Sequence, residues 1–114
     1  MGGREIYQVV EEHKSTFPYS LELKAGEDVT LSDDKKNGWI WATDKKDAGA
    51  WIPEKYLEIY KNTGTLLIDY DTAELNVTSG ERLTLIKEES GWMWCSNQKG
   101  ETGWVPSFKV EKLG

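Results

Sequence analysis

Apolar and polar residues alternate in short runs along this chain, and the runs are cut by turn signals. Asp28-Val29-Thr30-Leu31 and Arg82-Leu83-Thr84-Leu85-Ile86 follow Ala25-Gly26-Glu27 and Ser79-Gly80-Glu81, so each reads as a strand entered from a turn. Trp39 to Thr43 and Trp92 to Ser96 are strands rich in aromatics. Asp44-Lys45-Lys46-Asp47 and Asn97-Gln98-Lys99-Gly100 are polar hairpin tips, and Trp51-Ile52 and Trp104-Val105 begin the return strands. Pro53 and Pro106 end those strands, because proline cannot donate to a ladder. The charged stretches Asp33 to Gly38 and Lys87 to Gly91 read as loops. No stretch keeps a helical period, and the chain is expected to be all-β.

The period of two also sets side-chain direction. If Ala42 and Cys95 face the core, so do Ile40 and Met93, with Ile52 and Val105 opposite them. Trp39, Trp41 and Trp51 then share the other face, as do Trp92, Trp94 and Trp104. Each indole can cover on the order of 150–250 Å², so these faces require an occupant. Either they are contact surfaces, or loops, the other half of the chain or a second copy cover them.

All six tryptophans fall in a repeat. Residues 38–58 and 91–111 share seven identities, and Leu21 to Glu27 matches Leu75 to Glu81 further upstream. The 114 residues are therefore expected to form two modules, 1–60 and 61–114, joined by Tyr60 to Thr65. Expected core positions are Leu21, Leu23, Val29, Leu31, Ala42, Ile52 and Leu57, and then Leu75, Val77, Leu83, Leu85, Cys95, Val105 and Val110.

The motifs, in order and twice over, resemble the Src-homology-3 (SH3) family, in particular small bacterial proteins made of two variant SH3 modules. Leu66-Leu67-Ile68-Asp69-Tyr70 is similar to the family's Ala-Leu-Tyr-Asp-Tyr strand, and Gly103-Trp104-Val105-Pro106-Ser107 to its Gly-Tyr-Ile-Pro-Ser motif. Ala50-Trp51-Ile52-Pro53 and Tyr56 repeat the later motif in the first copy. The resemblance implies two small SH3-like β-barrels in tandem, with aromatic grooves that take extended, proline-rich peptides. It places Trp39, Pro53 and Tyr56 in the first groove, and Tyr70, Trp92 and Pro106 in the second, with Trp51 and Trp104 as further ligand-binding candidates. Ile68 and Lys109 stand where the second groove would have tyrosines. The first strand, Ile6 to Val10, has no clear tyrosine pair and its register is open, while Phe17-Pro18-Tyr19 could supply substitute aromatics.

The net charge of −6 is spread over both halves: residues 1–60 carry 8 basic and 12 acidic groups, residues 61–114 carry 6 and 8. Repulsion from phosphate argues against nucleic acid and anionic membranes, and favours a protein or peptide partner with basic flanks. Asp71 and Glu74, and in the first copy Glu11, Glu12, Asp33 and Asp34, are the acidic groups that could meet it.

Enzyme chemistry finds no constellation. His13 is the only histidine, expected to be solvated, and Cys95 is expected to be a buried inert thiol. No Cys/His spacing suits a metal, no glycine-rich loop suits a cofactor phosphate, and Glu88-Glu89 reads as a solvated pair. The N-terminus has no apolar signal region, so the setting is expected to be cytoplasmic. Two other classes of function stay open. One is a structural two-domain or homodimeric protein with its tryptophan faces buried; the other is recognition of peptidoglycan in a cell wall, which would require export.

Overall fold

The computed structural model describes residues 5–15 and 19–113, which form two compact units. One is continuous, Ser20–Thr72. The other combines Met1–Tyr19 with Ala73–Gly114.

The continuous unit begins with β2 (Glu22–Leu23), then β3 (Asp28–Lys36), β4 (Trp39–Thr43) and β5 (Gly49–Pro53). A single 3-10 turn, Glu54–Tyr56, leads into β6 (Leu57–Tyr60), β7 (Thr63–Leu66) and β8 (Tyr70–Asp71). Its five-stranded sheet has the order β5-β4-β3-β7-β6, with β2 and β8 as a separate antiparallel pair. In the discontinuous unit, β1 (Ile6–Val9) lies between β9 (Arg82–Glu89) and β12 (Val110–Lys112). With β10 (Trp92–Ser96) and β11 (Thr102–Pro106) the order is β11-β10-β9-β1-β12. Both units are SH3-like and all-β, as expected, and their sheets are not closed barrels.

The two units share a plan of backbone hydrogen bonds around their first strands. Leu66 N–H donates to Glu27 O at 2.9 Å, and Val9 N–H to Glu81 O at 2.8 Å. Leu67 N–H reaches Tyr56 O as Val10 N–H reaches Lys109 O, both at 2.8 Å. Leu23 pairs with Tyr70, and Val77 with His13. These matches settle the open register: β1 is the counterpart of β7, and His13 is the counterpart of Tyr70. Each unit therefore takes its first strand from the other repeat.

The division expected at residue 60 follows the sequence repeat and does not coincide with these units. The physical reason is local. The stretch read as a connector is a hairpin, in which Tyr60 pairs with Thr63 across a two-residue turn and Lys61 adopts φ 56°. So short a turn returns β7 onto β6 before it can join the downstream strands. Two other expected loops are also tight turns. Asn37-Gly38 (φ 50° and 88°) and Ser90-Gly91 (φ 45° and 90°) have the positive φ at both positions that a type I′ turn requires. β3 and β9 consequently run on through their charged ends. Glu89 is buried there, with Ser90 Oγ donating to it at 3.2 Å, and the expected solvation of the Glu88-Glu89 pair does not hold for it.

Burial alternates along the central strands as the period requires. Val9, Leu75, Val77, Leu83, Met93, Cys95, Val105 and Val110 form the core of the discontinuous unit. Leu23, Val29, Leu31, Ile40, Ala42, Ile52, Leu57 and Leu66 are buried in the continuous one. Leu21 and Leu85, expected in the cores, are only partly buried.

Burial, followed by the nearby charge of Glu88, pushes the Cys95 thiol up to about 11 from an ordinary 9.0. In the unfolded chain the thiol ionises first, so folding stability is intact below pH 9.0 and falls as pH rises towards about 11. A two-unit shift is worth on the order of 2–3 kcal/mol. Urea unfolding at pH 8 and pH 11 should show this loss, and the Cys95→Ala chain should show a smaller one; equal losses would contradict it.

Candidate functional site

Strand alternation leaves the tryptophans off the core face. Trp41 pairs with Trp51 across β4–β5 and Trp94 with Trp104 across β10–β11, in matching registers. The rings meet edge to face in both hairpins, with centroids at 5.5 Å and 71° in the first and 5.2 Å and 67° in the second. Edge-to-face contact suits the ring quadrupole. Much of each indole surface is thus covered by its own neighbour.

Trp104 goes further, at 4 % exposure. Its backbone N–H donates to Ala73 O at 2.9 Å, its backbone carbonyl accepts from Leu75 N–H at 3.0 Å, and Lys87 Nζ sits 5.7 Å from its ring centroid. Of the two alternatives open for Trp104, contact surface or covered ring, it is the buried one, and residues 73–75 lie along its strand edge. Gly103 allows this approach, because a Cβ there would come within 2.7 Å of Leu75 N. At the equivalent place in the continuous unit stands Ala50, and the Trp51 carbonyl instead accepts the Tyr70 hydroxyl at 3.0 Å.

The continuous unit gathers the aromatic set. Trp39 and Pro53 are cross-strand partners, and Pro53 leads directly into the turn that carries Tyr56. The Tyr56 and Tyr70 rings meet edge to face at 5.5 Å. The tyrosines are 7 % and 5 % exposed and form a floor, while Trp39 is half-buried. Tyr70 had been expected with Trp92 and Pro106; strand exchange puts it against Tyr56 and the Trp51 carbonyl instead. Of the substitute aromatics, Phe17 and Pro18 lie outside the described residues, and Tyr19 is exposed.

The discontinuous unit fills the same positions with ionisable groups. Trp92 and Pro106 are cross-strand partners, but His13 occupies the place of Tyr70 and Lys109 that of Tyr56. Contrary to expectation His13 is buried, at 7 % exposure, with its ring edge-on to Trp92 at 5.8 Å. Lys109 Nζ lies 3.3 Å from His13 Nδ1 and 3.2 Å from Glu12 O. An ammonium only donates, so Nδ1 accepts, and Nε2 carries the hydrogen given to Glu74 Oε1 at 2.7 Å. Glu74 thus serves its own unit's histidine. Sequence reasoning missed this cluster because its members are 35 to 96 residues apart.

A variant SH3 domain model matches residues 6–60, and a second variant SH3 domain model matches residues 67–111. The chain belongs to the variant SH3 family. SH3 domains are protein-interaction modules and are typically non-catalytic. Among the described residues, no group of His, Cys, Asp and Glu is placed to hold a metal, and no helix is long and apolar enough to cross a membrane.

Gly103→Ala should therefore push residues 73–75 off the β11 edge, costing about 1–3 kcal/mol by overpacking and exposing Trp104. Chemical unfolding with tryptophan emission reads both; unchanged stability and emission would contradict the close-approach account.

Proposed function

We propose that this variant SH3 protein is a non-enzymatic adaptor that takes extended, proline-rich peptides on the continuous unit. The observation that carries the reading is the meeting of Tyr56 and Tyr70 beside the Trp39–Pro53 pair. An indole rim over a phenol floor suits proline rings, which lie flat on aromatic faces, and a polyproline II segment is already ordered before it docks. Charge supports the same unit. Residues 20–72 carry 11 acidic and 7 basic groups, a net −4, against 9 and 7 in the rest of the chain. A peptide with basic flanks is drawn to that surface.

The discontinuous unit suits such a ligand less well. Its Trp92 and Pro106 are present, but the floor is the His13–Lys109–Glu74 cluster, already bonded within itself. Displacing those bonds costs more than covering a phenol.

Titration with proline-rich peptides flanked by Arg or Lys, followed through amide and indole shifts, tests the reading. Shifts should centre on Trp39, Tyr56 and Tyr70; Trp39→Ala should weaken binding about tenfold or more, and Trp92→Ala by less than about twofold. Binding that survives Trp39→Ala and is lost in Trp92→Ala would contradict it.

A further inference from the structure

The exchange of first strands raises a question of addressing. β7 is tethered to β6 by a two-residue turn, so its partner is fixed locally. β1 has no such tether: it pairs with β9 and β12, Tyr7 opposite Leu83 and Lys112, more than 70 residues along the chain. Its address has to be carried by side chains. β1 and β7 offer similar backbones, and each unit makes the same ladder bonds to its own first strand. They differ at the position of Tyr7, where β7 has Gly64, whose Cβ would press on Leu31 and Leu57, and at the buried residue four places beyond each strand, His13 in one and Tyr70 in the other.

We propose that His13 and Tyr70 are matched keys: the fit of His13 to Glu74 and Lys109 assigns β1 to the second repeat's sheet, and the fit of Tyr70 to Tyr56 and the Trp51 carbonyl secures the place that the short turn gives β7. In the direct arrangement, with β1 beside β3, His13 would face Tyr56. Ser20 would stand where Glu74 does, leaving no carboxylate for the ring N–H. The Trp51 carbonyl would lose its hydroxyl donor. Tyr70, moved beside β9, would face a Trp104 carbonyl already taken by Leu75 N–H. Glu74, whose side chain is only 11 % exposed, would lose its imidazole donor, and Lys109 its imidazole acceptor. Buried polar groups left without partners are costly, and here the cost falls on both units at once. The difference between Gly103 and Ala50 reinforces the assignment. Gly103 admits the segment that delivers Glu74 to His13, whereas beside Ala50 the strand edge is closed by Tyr70.

The full chain tests this by nuclear Overhauser contacts between α-protons. Tyr7 and Lys112 are partners, and the direct arrangement would place Tyr7 opposite Ile59, which now faces Gly64. The unaltered protein should show Tyr7–Lys112 contacts. In the His13→Tyr, Tyr70→His chain neither key fits where its strand lies, and the Tyr7–Lys112 contacts should be lost or the unfolding equilibrium constant should rise about tenfold. If that chain does not fold, a double-mutant cycle decides. His13→Tyr and Lys109→Tyr should each raise the unfolding equilibrium constant about tenfold, and the pair together should reverse most of that rise by recreating the tyrosine contact. Tyr7–Ile59 contacts in the unaltered protein, retention of Tyr7–Lys112 contacts with unchanged stability in the key-exchanged chain, or an additive cycle would overturn the proposal.

Discussion

The pairing of β1 with strands of the second repeat is the constraint on which the rest of this structure depends. It closes the hydrogen-bonding edge between β9 and β12, buries Val9 in the core and carries His13 to its cluster. Its counterpart, β7, brings Tyr70 to Tyr56 through a turn of two residues. A continuous unit from Ser20 to Thr72 thereby contains every strand of one SH3-like fold, in an order that starts after its first strand. The other unit is assembled from the two ends of the chain, so its stability rests on long-range closure, with its entropic cost.

Two folds with the same hydrogen-bond plan have diverged in the chemistry of one place. In the continuous unit it is a pair of phenols beside Trp39, in the other an imidazole held between a carboxylate and an ammonium beside Trp92. Both solutions satisfy the buried polar atoms: among the described residues no buried side-chain nitrogen or oxygen lacks a partner. In the continuous unit the phenols pack edge to face on each other, and in the other unit the ionic groups are bonded among themselves.

Much of the fold was legible because side-chain alternation is strict where one face is packed. The run from Trp39 to Thr43 and its repeat from Trp92 to Ser96 placed Ile40, Ala42, Met93 and Cys95 inside and the indoles outside, and burial follows that pattern. The loops were less legible. Asn37-Gly38 and Ser90-Gly91 sit in charged stretches whose polarity resembles a loop, and only their positive φ values reveal hairpins. The Thr63-Gly64-Thr65 stretch looks like a linker by composition, yet it is a strand. Gly64 is buried there, where a Cβ would press on Leu31 and Leu57 at 3.1–3.3 Å. Around the candidate site, nothing local in the sequence announces that Tyr70 meets Tyr56, or that His13 is buried against Glu74.

Fragments test the central claim most directly. A peptide of residues 20–72 contains one complete unit, and a peptide of residues 1–60 contains one complete sequence repeat without β7 and β8. The account predicts a dispersed amide spectrum and cooperative unfolding for residues 20–72, and neither for residues 1–60. A folded 1–60 fragment beside an unfolded 20–72 fragment would contradict it.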